Sequence, residues 1–172
     1  SRTAQPGSPA SGTAHQEISY AKAQGQLAYY RVLEAQNKVR LITNRQSLEQ
    51  HMDACQQEGA DEPLGIILSM EGADPIVWPH QVHEWFEAGL RVISLSHYGV
   101  SRYSHGTGTG TDGGLTPAGP ELLREMDKLG IILDVSHTSD ESVRQELDIF
   151  EGPVLASHQN CREVTPGERQ FP

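Results

Sequence analysis

Four short apolar runs, each separated from the next by a glycine- or proline-bounded amphipathic segment, limit the folds open to this chain more than any other feature. The runs are Leu64–Met70, Arg91–Ser96, Ile131–Val135 and Pro153–Ala156. Between them, Pro79–Ala88 carries Val82, Trp85 and Phe86 at helical spacing, and Pro120–Leu129 carries Leu122, Leu123, Met126 and Leu129. Gly89 and Gly130 end these two helices. Ser139 is placed to cap a third helix, Ser139–Phe150, with Ser142 three residues on. Strands and helices alternating at this spacing predict βα units and a parallel sheet. The runs are apolar throughout rather than alternating, which implies burial on both faces. An open doubly wound sheet and a (β/α)8 barrel both satisfy the pattern, and no internal repeat separates them.

Upstream, residues 15–36 read as a helix with Ile18, Leu27, Tyr30, Val32 and Leu33 as apolar positions. Val39–Ile42 is a short strand. Ser47, with Gln50 at the capping-box position, is placed to open a second helix that runs to about Glu58 and stops at Gly59. Residues 1–14, rich in Ser, Thr, Ala, Gly and Pro, read as a flexible lead-in or loop, and residues 15–172 as part of one (β/α) barrel domain.

The residues that follow the strands decide between the two architectures. The first run leads into Glu71, the second into His97, the third into His137 and the fourth into His158. Four successive strands thus each deliver one metal-ligand residue type at the carboxyl end. Barrel enzymes draw their catalytic residues from that rim. A closed ring brings the tips to one mouth, whereas an open sheet spreads them along an edge, so the pattern favours the barrel. Imidazole and carboxylate suit zinc. Glu71, His137 and His158 make three protein ligands and leave a position for water, the arrangement of a catalytic zinc. Such water becomes hydroxide near neutral pH and attacks carbonyls.

Five stretches give the chain a family resemblance. They are Leu68-Ser69-Met70-Glu71-Gly72-Ala73-Asp74; Gly89-Leu90-Arg91 through Ser96-His97-Tyr98; Gly114-Leu115-Thr116-Pro117-Ala118-Gly119; Leu129-Gly130 through Asp134-Val135-Ser136-His137; and Gly152-Pro153-Val154-Leu155-Ala156-Ser157-His158. In this order and spacing, residues 64–172 resemble the membrane (renal) dipeptidase family of zinc peptidases. The resemblance implies a (β/α)8 barrel, two zinc ions bridged by a carboxylate, and hydrolysis of dipeptides by a metal-activated hydroxide. Glu71 falls on the bridging position, and His137 and His158 on the ligands of the second zinc. His97 falls on the histidine that contacts substrate and polarises the scissile carbonyl. Arg169 falls on the arginine that binds the substrate carboxylate, a role that suits a guanidinium fork.

The family holds its first zinc with a His-x-Asp pair near the N-terminus, and this sequence contains no His-x-Asp. The family's acid/base aspartate belongs to a later strand. At most one zinc is therefore expected from the residues present. A full barrel takes about 250 residues, so about four βα units are expected here, as the central part of a longer protein. Alone, such a piece is expected to be inactive and poorly stable, with exposed sheet edges that make self-association, as a homo-oligomer, plausible. Two other readings stay open: a hydrolase of another small amide, and a non-catalytic barrel homologue that binds without a complete metal pair.

Composition narrows partners. The formal net charge of −10 argues against binding a nucleic-acid backbone. No apolar run approaches the roughly 20 residues of a membrane span, and no signal peptide is visible, so the compartment is unassigned. Two cysteines make no disulfide framework. Weaker features are expected to be structural. His105–Gly114 reads as a mobile rim loop rather than a nucleotide cradle, because it lacks the Gly-Lys-Ser/Thr ending, and His105 as exposed. His80 and His83 read as surface residues, Cys161 as a buried inert thiol, and Trp78 and Trp85 as packing between helix and sheet. Asp134, three residues before His137, is placed either to orient a ligand or to bond its own neighbouring backbone.

Overall fold

Strand pairing follows chain order without a reversal. In the computed structural model, which describes residues 16–59, 61–108, 110 and 113–172, β1 (Val39–Leu41) pairs with β2 (Leu64–Ile66). A second sheet runs β3 (Leu68–Glu71), β4 (Leu90–Ser94), β5 (Ile132–Asp134), β6 (Val154–Leu155) in that spatial order. Every pair is parallel. A doubly wound sheet reverses its strand order at a switch point. Sequential order with right-handed crossovers instead keeps all helices on one face, which is how a barrel wall is built. The expected run 64–70 is split at Ile67. Its first half pairs with β1 and its second half with β4, with a register shift at Leu68/Ser69.

The expected helices form with shifted ends: α1 (Gln16–Ala35), α2 (Arg45–Cys55), α3 (Val82–Glu87, preceded by a 3-10 turn at Pro79–Gln81), α4 (Gly119–Leu129) and α5 (Asp140–Ile149). Ser139 caps α5, accepting from Ser142 N at 3.1 Å. Gly130 ends α4 at φ 68, a left-handed conformation that suits glycine. The start of α2 corrects the expectation. Asn44, not Ser47, is its N-cap: Asn44 Oδ1 accepts from Ser47 N at 2.8 Å, and Ser47 Oγ accepts from Asn44 N at 3.2 Å. Ser47 thus fills the position usually taken by Glu or Gln in a reciprocal capping box. The lead-in at 1–14 lies outside the described residues.

The core lies between the helices and the outward face of the sheet. Met70, Ile93, Leu95, Leu133 and Val135 meet Val82, Trp85, Leu122, Leu123 and Met126 there, all buried. Each such aliphatic side chain contributes about 1.5–3 kcal/mol by leaving water. The other face of the sheet carries Ser69, Glu71, Val92, Asp134, Ser157 and His158 around one cavity. Polar groups therefore gather at the carboxyl end of the strands.

Four minor expectations fail. Trp78 is exposed, while Trp85 is buried against Tyr20 as expected. Cys161 is exposed, on the loop that follows β6. His105 is half-buried, its backbone oxygen accepting from Ser139 N and Ser142 Oγ. The segment around it is pinned where described: Thr107 N donates to His137 O at 2.8 Å and Gly106 N to Gly99 O at 2.7 Å. His80 is exposed as expected, but His83 turns inward onto Glu125 of α4.

Candidate metal centre

Glu71 closes β3, and its Oε1 is the point on which the strand ends converge. It lies 3.0 Å from His137 Nε2, 3.0 Å from His158 Nε2 and 3.9 Å from His97 Nε2. The His137 and His158 nitrogens are 3.1 Å apart. Tetrahedral zinc with bonds of about 2.0–2.1 Å holds neighbouring ligand atoms about 3.3 Å apart. The Glu71–His137–His158 triangle therefore has the size and donor chemistry of a zinc site. His97 stands beside it, its ring 4.3 Å from that of His137. Glu71, His97 and His158 remain about half exposed, while the His137 side chain is 5% exposed.

Burial dominates the electrostatics of His137. It pushes the imidazole pKa down to about 4, assisted by the Arg169 and His97 charges and opposed by Glu71. Neutral imidazole is the form that binds metal. His137 also adopts φ 68, rare for a residue with a side chain. The neighbouring backbone holds this conformation: Thr107 N bonds to His137 O, and Thr138 Oγ1 donates to Val135 O at 2.6 Å. Such strain persists where surrounding contacts over-determine it.

Asp134 bonds its neighbouring backbone, one of its two expected readings, and also reaches an imidazole. Its Oδ1 accepts from Ser136 N at 3.0 Å and Ser157 N at 3.2 Å, tying together the turns that follow β5 and β6. Its Oδ2 accepts from Ser157 Oγ at 2.5 Å, and that hydroxyl lies 2.6 Å from His158 Nδ1. The carboxylate thus reaches His158 through one serine. Burial raises the Asp134 pKa, but these bonds outweigh it and hold the carboxyl below its ordinary value. Asp134 is therefore an anion when it anchors both turns.

Arg169 arrives on the loop after β6. That loop is closed by Phe171 N bonding to Asn160 O, and clipped to α5 by Arg162 forked onto Asp140 at 2.7 and 2.7 Å. Arg169 Nη2 donates to His158 O at 2.9 Å and lies 3.2 Å from His137 Nε2. Its Nη1 is buried without a hydrogen-bond partner among the described residues. Buried guanidinium nitrogens need an acceptor, so this one is suited to receive an anion.

All five predicted site residues, Glu71, His97, His137, His158 and Arg169, thus gather at one mouth. Two contributors escaped sequence reasoning. Tyr98 sets its ring 5.0 Å from that of His137, edge to face, and Ser157 orients His158. A signal for the second exists: Ser96-His97, Ser136-His137 and Ser157-His158 repeat one dipeptide at three strand ends.

A parallel wall whose carboxyl end gathers one carboxylate and three imidazoles has the architecture of a barrel rim. The chain belongs to the membrane dipeptidase family, peptidase family M19, whose sequence model matches residues 9–172. It is 30% identical over 129 residues to an uncharacterized dipeptidase of Schizosaccharomyces pombe, covering 73% of this chain and 32% of that protein. It is 31% identical over 112 residues to dipeptidase verJ of Clonostachys rogersoniana, covering 63% and 29%. Among solved structures, it resembles a metallopeptidase from Rhodobacter sphaeroides liganded with a phosphinate mimic of the dipeptide L-Ala-D-Ala. That likeness has a TM-score of 0.70 and 26% identity, over 91% of this chain and 44% of that one. A dipeptidase AC structure matches at a TM-score of 0.78 and 24% identity, over 98% and 49%. The chain therefore spans about a third of these curated relatives and under half of these structures.

Proposed function

We propose that this chain carries the metal-binding core of a zinc-dependent dipeptidase, with Glu71, His137 and His158 holding one zinc and Glu71 placed to bridge a second. The observation that carries the reading is the triangle of Glu71 Oε1, His137 Nε2 and His158 Nε2, with sides of 3.0, 3.0 and 3.1 Å. Bound zinc polarises a carbonyl and brings the pKa of water to near neutrality.

The protein's own groups do the remainder. Arg169 receives the free carboxylate of a dipeptide on its unpaired Nη1, which fixes the substrate's C-terminal end at the mouth. His97, half exposed and within 3.9 Å of Glu71 Oε1, donates from Nε2 to the scissile carbonyl oxygen as negative charge develops there. Asp134 and Ser157 keep the His158 ring oriented, and the low pKa of His137 keeps its lone pair available. The dipeptidase names of the fungal relatives support this substrate class. So does the phosphinate dipeptide mimic in the Rhodobacter structure, because a phosphinate is tetrahedral like the adduct of peptide hydrolysis.

The test is zinc content together with hydrolysis of a dipeptide and of its C-terminally amidated form by the intact protein. The expected result is bound zinc, with turnover of the free acid, and an Arg169→Met variant that loses the preference for the free acid over the amide. A protein without zinc affinity, or one whose acid/amide preference survives Arg169→Met, overturns the reading.

A further inference from the structure

A second group of metal-ligand side chains lies in the outer helical layer, built from none of the residues at the mouth. His80 sits in the 3-10 turn Pro79–Gln81, His83 opens α3, and Glu125 faces them from α4. His83 Nε2 lies 2.8 Å from Glu125 Oε2. The His80 and His83 rings are 4.4 Å apart between centroids. One ligand atom from each of the three residues falls within 4.8 Å of the other two. Tetrahedral zinc needs about 3.3 Å, and His80 is exposed, which leaves its side chain room to rotate towards that spacing.

We propose that His80, His83 and Glu125 form a peripheral binding site for zinc, with water in the remaining coordination positions. Two imidazoles and one carboxylate are a donor set that zinc takes up readily. An ordinary ion pair between His83 and Glu125 does not require the second imidazole that His80 brings alongside. Glu125 is prepared as a ligand: Lys128 Nζ takes its Oε1 at 2.5 Å and leaves Oε2 to the histidines. The net charge of −10 favours accumulation of cations. Because the ligands come from the α3 segment and from α4, bound zinc joins the outer helices of two consecutive βα units. It therefore stabilises the folded form in proportion to its occupancy. The site stands or falls independently of the dipeptidase reading.

The experiment is equilibrium dialysis of the intact protein against Zn2+ at about 0.15 M salt, paired with thermal unfolding. Wild type is compared with His80→Gln, His80→Asn, Glu125→Gln, and a His137→Gln/His158→Gln double variant. The expected result is that each His80 and Glu125 variant binds one zinc fewer than wild type and loses part of the zinc-induced rise in Tm. The double variant at the mouth keeps that peripheral equivalent. His80 is exposed, so its two substitutions leave the fold intact, as circular dichroism checks. Unchanged zinc stoichiometry in both His80 variants overturns the proposal. So does loss of all zinc binding in the His137→Gln/His158→Gln protein.

Discussion

Asp134 at the end of β5 and His158 beyond β6 are joined by a single hydroxyl, Ser157 Oγ, which lies 2.5 Å from the carboxylate and 2.6 Å from the imidazole Nδ1. Groups behind metal ligands typically govern affinity by about 10–100-fold. Ser157→Ala removes the hydroxyl and leaves the Asp134 bonds to backbone N–H groups. Its zinc affinity is expected to fall about 10-fold or more, with an unchanged circular dichroism spectrum. Asp134→Asn is expected to be worse, because it also weakens the tie between the two turns. Competition for zinc against a chromophoric chelator measures both.

Glu71→Gln removes a negative charge that faces His97, His137 and His158 together. Loss of bound zinc is expected, with a fall in turnover of about 100-fold or more, on the scale of losing a group that stabilises transition-state charge. Metal analysis alongside the assay distinguishes this from unfolding. Retained zinc and activity would show that the convergence at Glu71 Oε1 is not a metal centre.

The metal-free protein is expected to lose stability in acid through His137. Its folded pKa, about 4, lies below the ordinary histidine value of 6.5. Between those values the unfolded chain takes up a proton that the folded chain refuses, so stability falls as pH drops from about 6.5 towards 4 and then levels off. Zinc steepens this dependence, since protons compete for the same nitrogen. Chelator-treated protein unfolded in urea across this range is the measurement, and His137→Asn is expected to flatten the profile.

Glu146 shifts stability in the opposite direction. It is wholly buried in α5, with Ser104 and Thr138 as polar neighbours, and neither carboxyl oxygen reaches hydrogen-bond geometry. Burial raises its pKa well above the ordinary glutamate value. The folded chain therefore keeps a proton that the unfolded chain releases above pH ~4.5, and stability is lost as pH rises from there towards the folded value. Glu146→Gln, neutral at all pH, is expected to be more stable than wild type at pH 8 and about equal at pH 4. Urea midpoints at the two pH values decide it.

Gly106→Ala tests the backbone packing beside His97. A Cβ there meets the backbone oxygen of His97 at 2.1 Å and that of Gly99 at 2.8 Å, neither of which can rotate away. The backbone at Gly106 or at His97 must move, at a cost of about 1–3 kcal/mol, and turnover is expected to fall with zinc content unchanged.

Much was legible in one dimension because the relevant physics is local or periodic. Ser139 before an amphipathic run, Gly130 after one, and apolar runs that end in Glu71, His97, His137 and His158 are all readable without coordinates. The α2 cap falls on Asn44 rather than Ser47 because an Asn–Ser capping box replaces the usual glutamate or glutamine partner. Cys161, Trp78 and His83 depart from expectation because burial depends on which element lies opposite, and no window of sequence contains that. The strand order, and hence the single helical face, likewise appears only once the pairings are known.

By itself, the sequence determined the alternation of strands and helices, the chemistry at each strand end and the family resemblance, since these reside in residue type and spacing. Tertiary structure alone decided that Glu71 Oε1 meets two imidazole nitrogens at 3.0 Å. It also decided that Asp134 reaches His158 through Ser157, that Arg169 keeps a buried nitrogen unpaired among the described residues, and that His80 and His83 find Glu125. Those contacts join residues up to 87 positions apart, and parallel pairing and helix packing, not local preference, set their distances.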